Sequence, residues 1–371
     1  MRIRIKALDT LFFRDGKPFT MGQETWADGV FPPYPSVLHG AVRTWYISNQ
    51  EDGLTDRSIK KSGEIQMNGI YYKLGKNIYL PMPLDFVEPK VKPEKEEIEE
   101  ERKQEYRVIK LKLEKKHKTI SKLSNYPLSA IAVPPDNQEV EEVESGFISG
   151  SEFLRYLAGT LNEVKIKKLN DIVIPEPKVG IGIDKNIGAV LENKLYRVGM
   201  RRTNDFEIIL ELDLSDNDFS HDANFIKLGA EGKISAFEDL EGKIDFLNVA
   251  GSKIVPNEGG FKIYMATPAI FEKGWRPDLE KFGIKAELIA AVVGKPVHIG
   301  GFDMIKKEPK PMLQAVPAGS VYYYKTQENS EKILETLNGK SISDPVNLVD
   351  PNHVQVPFNI QGFGICYIGN Y

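Results

Sequence analysis

His39 and Arg43 stand four residues apart in the stretch Pro35-Ser36-Val37-Leu38-His39-Gly40-Ala41-Val42-Arg43. On a helix, that spacing puts both on one face. A histidine beside a cation can act as general acid or base in metal-independent RNA cleavage, with the 2′-hydroxyl as nucleophile. The same spacing also describes an interface histidine on a helix whose opposite face is core. No lysine or tyrosine can be assigned as a catalytic partner, so on the residues alone both readings stand.

The remaining histidines, His117, His221, His298 and His353, have no ligand spacing, and Cys366 is the single cysteine. No metal site and no internal disulfide are expected, which fits a reducing compartment. His221-Asp222 is an HD dipeptide in a polar stretch, without the further ligands of a phosphohydrolase. There is no G-x-x-x-x-G-K-S/T loop. Gly180-x-Gly182 and Gly362-x-Gly364 do not complete a dinucleotide fingerprint, so no cofactor is expected. Gly300-Gly301 ends one expected strand, and Gly362 and Gly364 open the last. Glycine lets backbone approach a partner and offers N–H groups to phosphate; ordinary turn chemistry is the alternative.

Cations cluster locally. Arg197, Arg201 and Arg202 lie beside Tyr196, suited to phosphate pairing and base stacking. Arg14 and Lys17 sit on an Asp15-Gly16 turn flanked by Phe12, Phe13 and Phe19. Arg2, Arg4 and Lys6 alternate with Ile3, Ile5 and Ala7, so the first strand reads as one buried and one basic face.

The elements that must carry these residues follow from pattern. Ser36 is expected to cap a helix through Ile47. Gln66–Leu74 and Asn77–Pro81 flank Gly75-Lys76 as a hairpin. Residues 88–118 form a charged insertion, acidic and then basic, expected as a solvated helix or flexible arm. Ser151–Leu157 reads as a second helix, and 179–183, 195–203 and 206–214 as strands. In the second half, 261–268, 286–299, 320–325 and 362–368 read as strands, with helices at 277–282 and 330–337. Strand, helix, strand, strand, helix, strand thus occurs twice. The pattern predicts an α+β protein with two ferredoxin-like (RRM-like, βαββαβ) domains in tandem. The expected domains are 1–218, with an insertion at about 86–146, and 219–371, with the boundary in the polar stretch 216–222.

The chain has 371 residues, 41% hydrophobic and 27% charged, with a formal net charge of −4. That composition supports two cored domains and excludes a polycation, so any nucleic-acid contact must be local. No apolar run is long enough to span a bilayer, and the alternating N-terminus is not expected to be a signal peptide, so a cytoplasmic protein without membrane contact is expected.

Several blocks, read together, resemble a known family. They are L-F-F-R-D-G-K-P-F, P-S-V-L-H-G-A-V-R, V-G-I-G-I-D, L-Y-R-V-G-M-R-R, K-L-G-A-E-G-K, I-G-G-F-D, V-P-A-G-S-V-Y-Y-Y and G-F-G-I-C-Y-I-G. In that order, across nearly the whole chain, they resemble the RAMP-superfamily proteins of CRISPR systems, and among them the third subunit of the Cmr (type III-B) effector complex. The resemblance implies a non-catalytic subunit of an antiviral ribonucleoprotein. It implies that the chain grips the 5′ repeat-derived tag of the guide RNA, docks on the large polymerase-like subunit and touches the adjacent backbone RAMP subunit. Arg14, Lys17, His39, Arg43, Arg197, Arg201, Arg202, Gly300, Gly301, Gly362 and Gly364 are the candidate RNA contacts. Related RAMP endonucleases that mature CRISPR RNA often carry a histidine on the first helix. Precursor cleavage through His39 is therefore the alternative activity.

Overall fold

The computed structural model describes residues 1–14, 26–27, 29–50, 53–90, 106–115, 126–183, 187–203, 205–214, 225–230, 232–240, 259–303, 307–345 and 356–371. It is a mixed α and β protein, rich in strands and poor in helices. Among the described residues no helix is long and apolar enough to cross a membrane.

The first sheet is built around β1 (Arg2–Ala7). Its alternation buries Ile3 and Ile5 beneath α1 (Pro35–Ser48), whose Leu38, Val42 and Trp45 complete the same core. The expected cap at Ser36 is not used. Pro35 occupies the first turn, where its missing N–H costs nothing, and Tyr34 stands at the cap position without a side-chain bond. The next helix, α2 (Asp56–Glu64), is held by a reciprocal Thr55/Ser58 capping box. It leads into β2 (Met67–Leu74), which turns at Gly75, φ +58°, into β3 (Asn77–Pro81) as the hairpin pattern predicts.

The chain after β3 does not close the unit at once. β4 (Gly146–Ser149) pairs with β3, and the strands Glu163–Lys168, Tyr106–Lys110, Phe86–Pro89 and Val140–Glu142 extend the sheet outward. The expected helical or flexible arm is therefore corrected where it is described. Residues 106–110 and 112–115 are strands, because Val108 and its neighbours alternate and Val108 is buried against the sheet. Glu88 and Pro89 likewise end the strand Phe86–Pro89, and residues 91–105 and 116–118 of that arm lie outside the described residues.

α3 (Gly150–Leu157) follows β4, with the Ser149 hydroxyl accepting from the Glu152 N–H. β5 (Phe206–Leu212) then inserts between β1 and β2, and β6 (Ile234–Asp239) pairs on the other side of β1. The four-strand core has the order β6-β1-β5-β2, every neighbouring pair antiparallel. This corrects the expected boundary at 218/219, since the strands Phe225–Lys227 and Ile234–Asp239 belong to the first sheet. The insertion in this core also runs further than 86–146, occupying everything between β2 and β5.

The second sheet has β7 (Gly260–Met265), β8 (Ala286–Val292), β9 (Val321–Thr326) and β10 (Ile365–Gly369) in the order β8-β9-β7-β10. α4 (Ser330–Leu337) crosses between β9 and β10. Where a first helix was expected, the described chain makes one 3₁₀ turn, Leu279–Phe282.

The two sheets share a core. Phe153 of α3 packs edge-on to Tyr264 and Tyr367, at 4.8 and 5.6 Å between ring centres. Tyr71 and Tyr367 meet hydroxyl to hydroxyl at 2.8 Å. The buried Asp85 carboxylate accepts from Tyr156 at 3.0 Å and from Tyr323 at 2.6 Å. Lys262, fully buried, donates to the Tyr156 carbonyl at 2.7 Å and sits over its ring. Burial pushes the Lys262 ammonium well down, against the pull of the Asp85 charge.

Candidate nucleic-acid interface

The stretch Leu11–Arg14 is where the expected cationic clusters meet. Leu11 pairs with Arg201 through both backbone hydrogen bonds, each 2.8 Å. The Phe12 carbonyl accepts from the Ala230 N–H at 2.9 Å, and the Phe13 carbonyl from Val30 at 2.8 Å. Arg14 bridges to Gly29, and the short strand Trp26–Ala27 runs parallel to Arg197–Val198. Four backbone partners, from three separate segments, thus hold one four-residue stretch, and Phe12 and Phe13 are buried. Phe12 joins Val198 and Met200, while Phe13 stacks towards Phe31 at 5.8 Å. Gly229, φ +87°, permits the approach, since a Cβ there would lie 2.7 Å from the Phe12 carbonyl oxygen.

Backbone pairing therefore brings the segment that carries Arg14 beside those that carry Arg197, Arg201 and Arg202, a basic ridge of segments far apart in sequence. Lys178 and Lys233, which sequence reasoning missed, join them around Asp9. Asp9 faces Lys233, Lys178 at 3.9 Å and Arg202 at 3.9 Å. The hydrogen bond from Lys233, aided by the Thr10 N–H, holds its carboxyl down at about 2. Arg202 is engaged bidentately by Glu176, with Nη2 to Oε1 at 2.9 Å, and this pairing raises its pKa. Lys17 and Phe19 lie outside the described residues.

Beside the ridge, the strands Lys178–Ile183 and Val190–Val198 form a hairpin. Val179, Ile181 and Ile183 are 64, 47 and 55% exposed, one apolar face with period two. Gly180 is explained by packing rather than by phosphate. It sits opposite Tyr196, and a Cβ there would come within 2.3 Å of that ring.

Other candidates are corrected. His39 and Arg43 do share a helix face, but that face is turned to α2 and the start of β2. His39 is 2% exposed, and its Nε2 lies 2.9 Å from the Ile65 carbonyl oxygen, to which the neutral ring donates. Burial pushes the imidazole down to about 4. A ring so enclosed reaches neither phosphate nor a 2′-hydroxyl. Arg43 is half-buried and donates from Nε to the Ser62 hydroxyl at 3.2 Å; desolvation lowers its pKa.

Gly362 and Gly364 are buried in the turn before β10, with φ +87° and +74°. The Gly364 N–H donates to the Pro268 carbonyl at 2.8 Å, so it is not offered to phosphate. A Cβ on Gly362 would press on Met67 at 3.0 Å, which makes this turn a seam between the two sheets. Gly300 and Gly301 form the turn between Val297–Ile299 and Phe302–Asp303, where the Gly301 carbonyl accepts from Lys310 at 2.9 Å. No strand pairing joins that turn to the ridge among the described residues. The basic face of β1 is balanced by acid: Arg2 pairs with Glu211 at 2.7 Å, Arg4 with Glu238, and neighbouring Lys73 with Glu207.

Two antiparallel sheets sharing one core, with cationic segments and an apolar hairpin beside them, define a strand-rich α and β protein. The chain belongs to the family described as CRISPR-associated protein (Cas_Cmr3), whose model matches residues 3–371. A comparison with curated proteins finds no match. Among solved structures, it is similar to a chain of the Type III-B Cmr-beta bound to cognate target RNA, at 16% identity and TM-score 0.49, over 87% of this chain and 86% of that one. A second form of that assembly, with AMPPnP, gives 17% identity and TM-score 0.47 over the same shares. A chain of the Csm3-Csm4 subcomplex of a type III-A interference complex gives 13% identity and TM-score 0.36, over 89% of this chain and 94% of that one.

Proposed function

We propose that this subunit is non-catalytic, binds the 5′ repeat-derived tag of the guide RNA along the ridge of Arg14, Arg197, Arg201 and Arg202, and docks on the large polymerase-like subunit and the adjacent backbone subunit in the cytoplasm. The observation that carries the reading is the backbone pairing of Leu11 with Arg201, which sets two separate arginine-bearing segments side by side. Cations held by strand pairing are preorganised for phosphate, and arginine suits that partner geometrically. The exposed hairpin face of Val179, Ile181 and Ile183 supports a place inside an assembly, because apolar patches of this kind are covered by partners. We also propose that both four-strand cores are ferredoxin-like. In each, the first and second strands of the unit flank the third, and the fourth lies outside the first.

The burial of His39 weighs against the alternative of precursor cleavage. Incubation with 5′-labelled guide RNA in EDTA, with and without the large subunit, tests both readings on native and denaturing gels. A tag-dependent shift of intact RNA, strengthened by the large subunit, supports the binding role. Cleavage at one position that vanishes in His39→Ala overturns it.

A further inference from the structure

A groove of about 620 Å³ opens where the segment carrying Tyr126 and Leu128 meets the second sheet. Trp275, Ala291 of β8, Val293 and Pro296 complete its apolar lining, and none of the described residues that line it is charged. Trp275 is 39% exposed yet fixed in place. The Tyr322 Oη of β9 donates to the Trp275 carbonyl at 2.6 Å, and the two rings lie 6.5 Å apart at an interplanar angle of 3°. Tyr126 is tied by a hydrogen bond to the Ala291 backbone. The residues that flank this lining are cationic. Arg276 follows Trp275, and Lys295 stands between the lining residues Gly294 and Pro296. Both are exposed, and neither makes an ion pair among the described residues. The carboxylates of the Trp275 turn are already engaged, Asp278 by Lys273 at 2.7 Å and Glu272 by Lys281 at 2.8 Å.

An exposed indole held by its neighbours, with a tyrosine and an arginine beside it, has the composition of a protein-binding hot spot, and its fixed geometry leaves little ordering to be done on binding. The apolar lining suits a side chain without polar atoms, and the unpaired cations at its border suit carboxylates on either side of that side chain. We propose that this groove docks an apolar, acid-flanked segment of a neighbouring protein subunit, with a large side chain seated against Trp275 and carboxylates facing Arg276 and Lys295. A nucleobase would fit the space poorly, because its hydrogen-bonding edge would be taken from water into a lining that offers few polar groups. The inference deepens the docking reading above and is independent of RNA contact by the ridge.

The test is site-specific photo-crosslinking in an assembly reconstituted from the full chain, guide RNA and the partner subunits. Gln314 lines the groove and is exposed, so Gln314→p-benzoylphenylalanine places the probe there; the same substitution at exposed Glu331 of α4 is the control. The Gln314 probe crosslinks to a protein subunit, and the captured peptide, sequenced by mass spectrometry, carries a large apolar residue between acidic ones. Trp275→Ala lowers the yield about tenfold, and so does Arg276→Glu combined with Lys295→Glu, while the control yield is unchanged. The charge-reversed chain keeps its melting temperature, so its loss of yield is a loss of docking. A crosslink to guide RNA or to a second copy of this chain, a captured peptide without acidic residues, no crosslink, or a yield indifferent to these variants overturns the proposal. If the chain still assembles with its partners in any of those cases, only the groove assignment falls. If it does not assemble, the docking reading falls as well, and guide-RNA binding by the free chain is judged separately.

Discussion

Leu11 and Arg201 exchange both of their backbone hydrogen bonds, at 2.8 Å each. The stretch that leaves the first strand is thereby fastened to the arginines that follow the hairpin. The ridge is a product of strand pairing and not of any one charge-rich segment.

Within the ridge, the arginines differ in availability. Arg202 is held by Glu176, so its phosphate contact competes with an existing pair. Glu176→Gln is expected to strengthen single-stranded RNA binding, and Arg201→Ala to weaken it while lowering the slope of log affinity against log salt by about one. Filter binding across a salt series checks both. A slope unchanged by Arg201→Ala would remove that residue from the contact.

Gly364 tests the seam before β10. A Cβ there would lie 2.4 Å from the Ser343 nitrogen, and φ is +74°. Gly364→Ala is expected to destabilise the fold by about 1–3 kcal/mol or more, read as a lower denaturant midpoint. RNA binding measured well below that midpoint is unaffected, since this glycine holds structure and not phosphate.

His39 gives a pH signature. Its folded pKa, about 4, lies below the ordinary 6.5, so the neutral form is favoured by folding. Its contribution is fully present above pH 6.5 and is lost as the pH falls towards 4, by about 3 kcal/mol in all. His39→Gln, which can still donate to the Ile65 carbonyl, removes this component. Urea unfolding of both proteins at pH 7 and pH 4.5 therefore shows a smaller acid loss in the variant.

Asp85 and Lys262 link the two sheets through Tyr156 and Tyr323. Asp85→Ala strands both tyrosine hydroxyls and leaves a buried ammonium uncompensated, at an expected cost of about 3–5 kcal/mol. Asp85→Leu combined with Lys262→Met removes the charge imbalance and recovers most of that loss. Two-state denaturant curves of the variants separate the cases; equal destabilisation of single and double variants would contradict the coupling.

The hairpin at Gly75, the buried alternation of Ile3 and Ile5, the apolar stripe of α1 and the strands of the second sheet follow from local spacing and turn chemistry. The arm around 106–115 was misread because its charge pattern suggested a solvated helix. Its apolar positions are few, and pairing with two neighbouring strands outweighs that local signal. The boundary was misplaced for a related reason. A polar stretch marks a loop, but not whether the next strand returns to the old sheet, as β6 does beside β1.

Residue order alone determined that this chain carries two sets of alternating strands with few helices, no histidine or cysteine ligand spacing, and arginines in separate short groups. The block order determined its family resemblance. Tertiary structure decided which of those groups meet. His39 and Arg43 have the spacing of a catalytic face, yet α2 covers that face and burial removes the ring's charge. Arg14 and Arg201 have no spacing relation, yet antiparallel pairing of Leu11 with Arg201 sets their segments side by side. Spacing within a helix or strand is local geometry and can be read along the chain. Which faces are buried and which loops pair depends on contacts between residues far apart in sequence, and those form only when the sheets close.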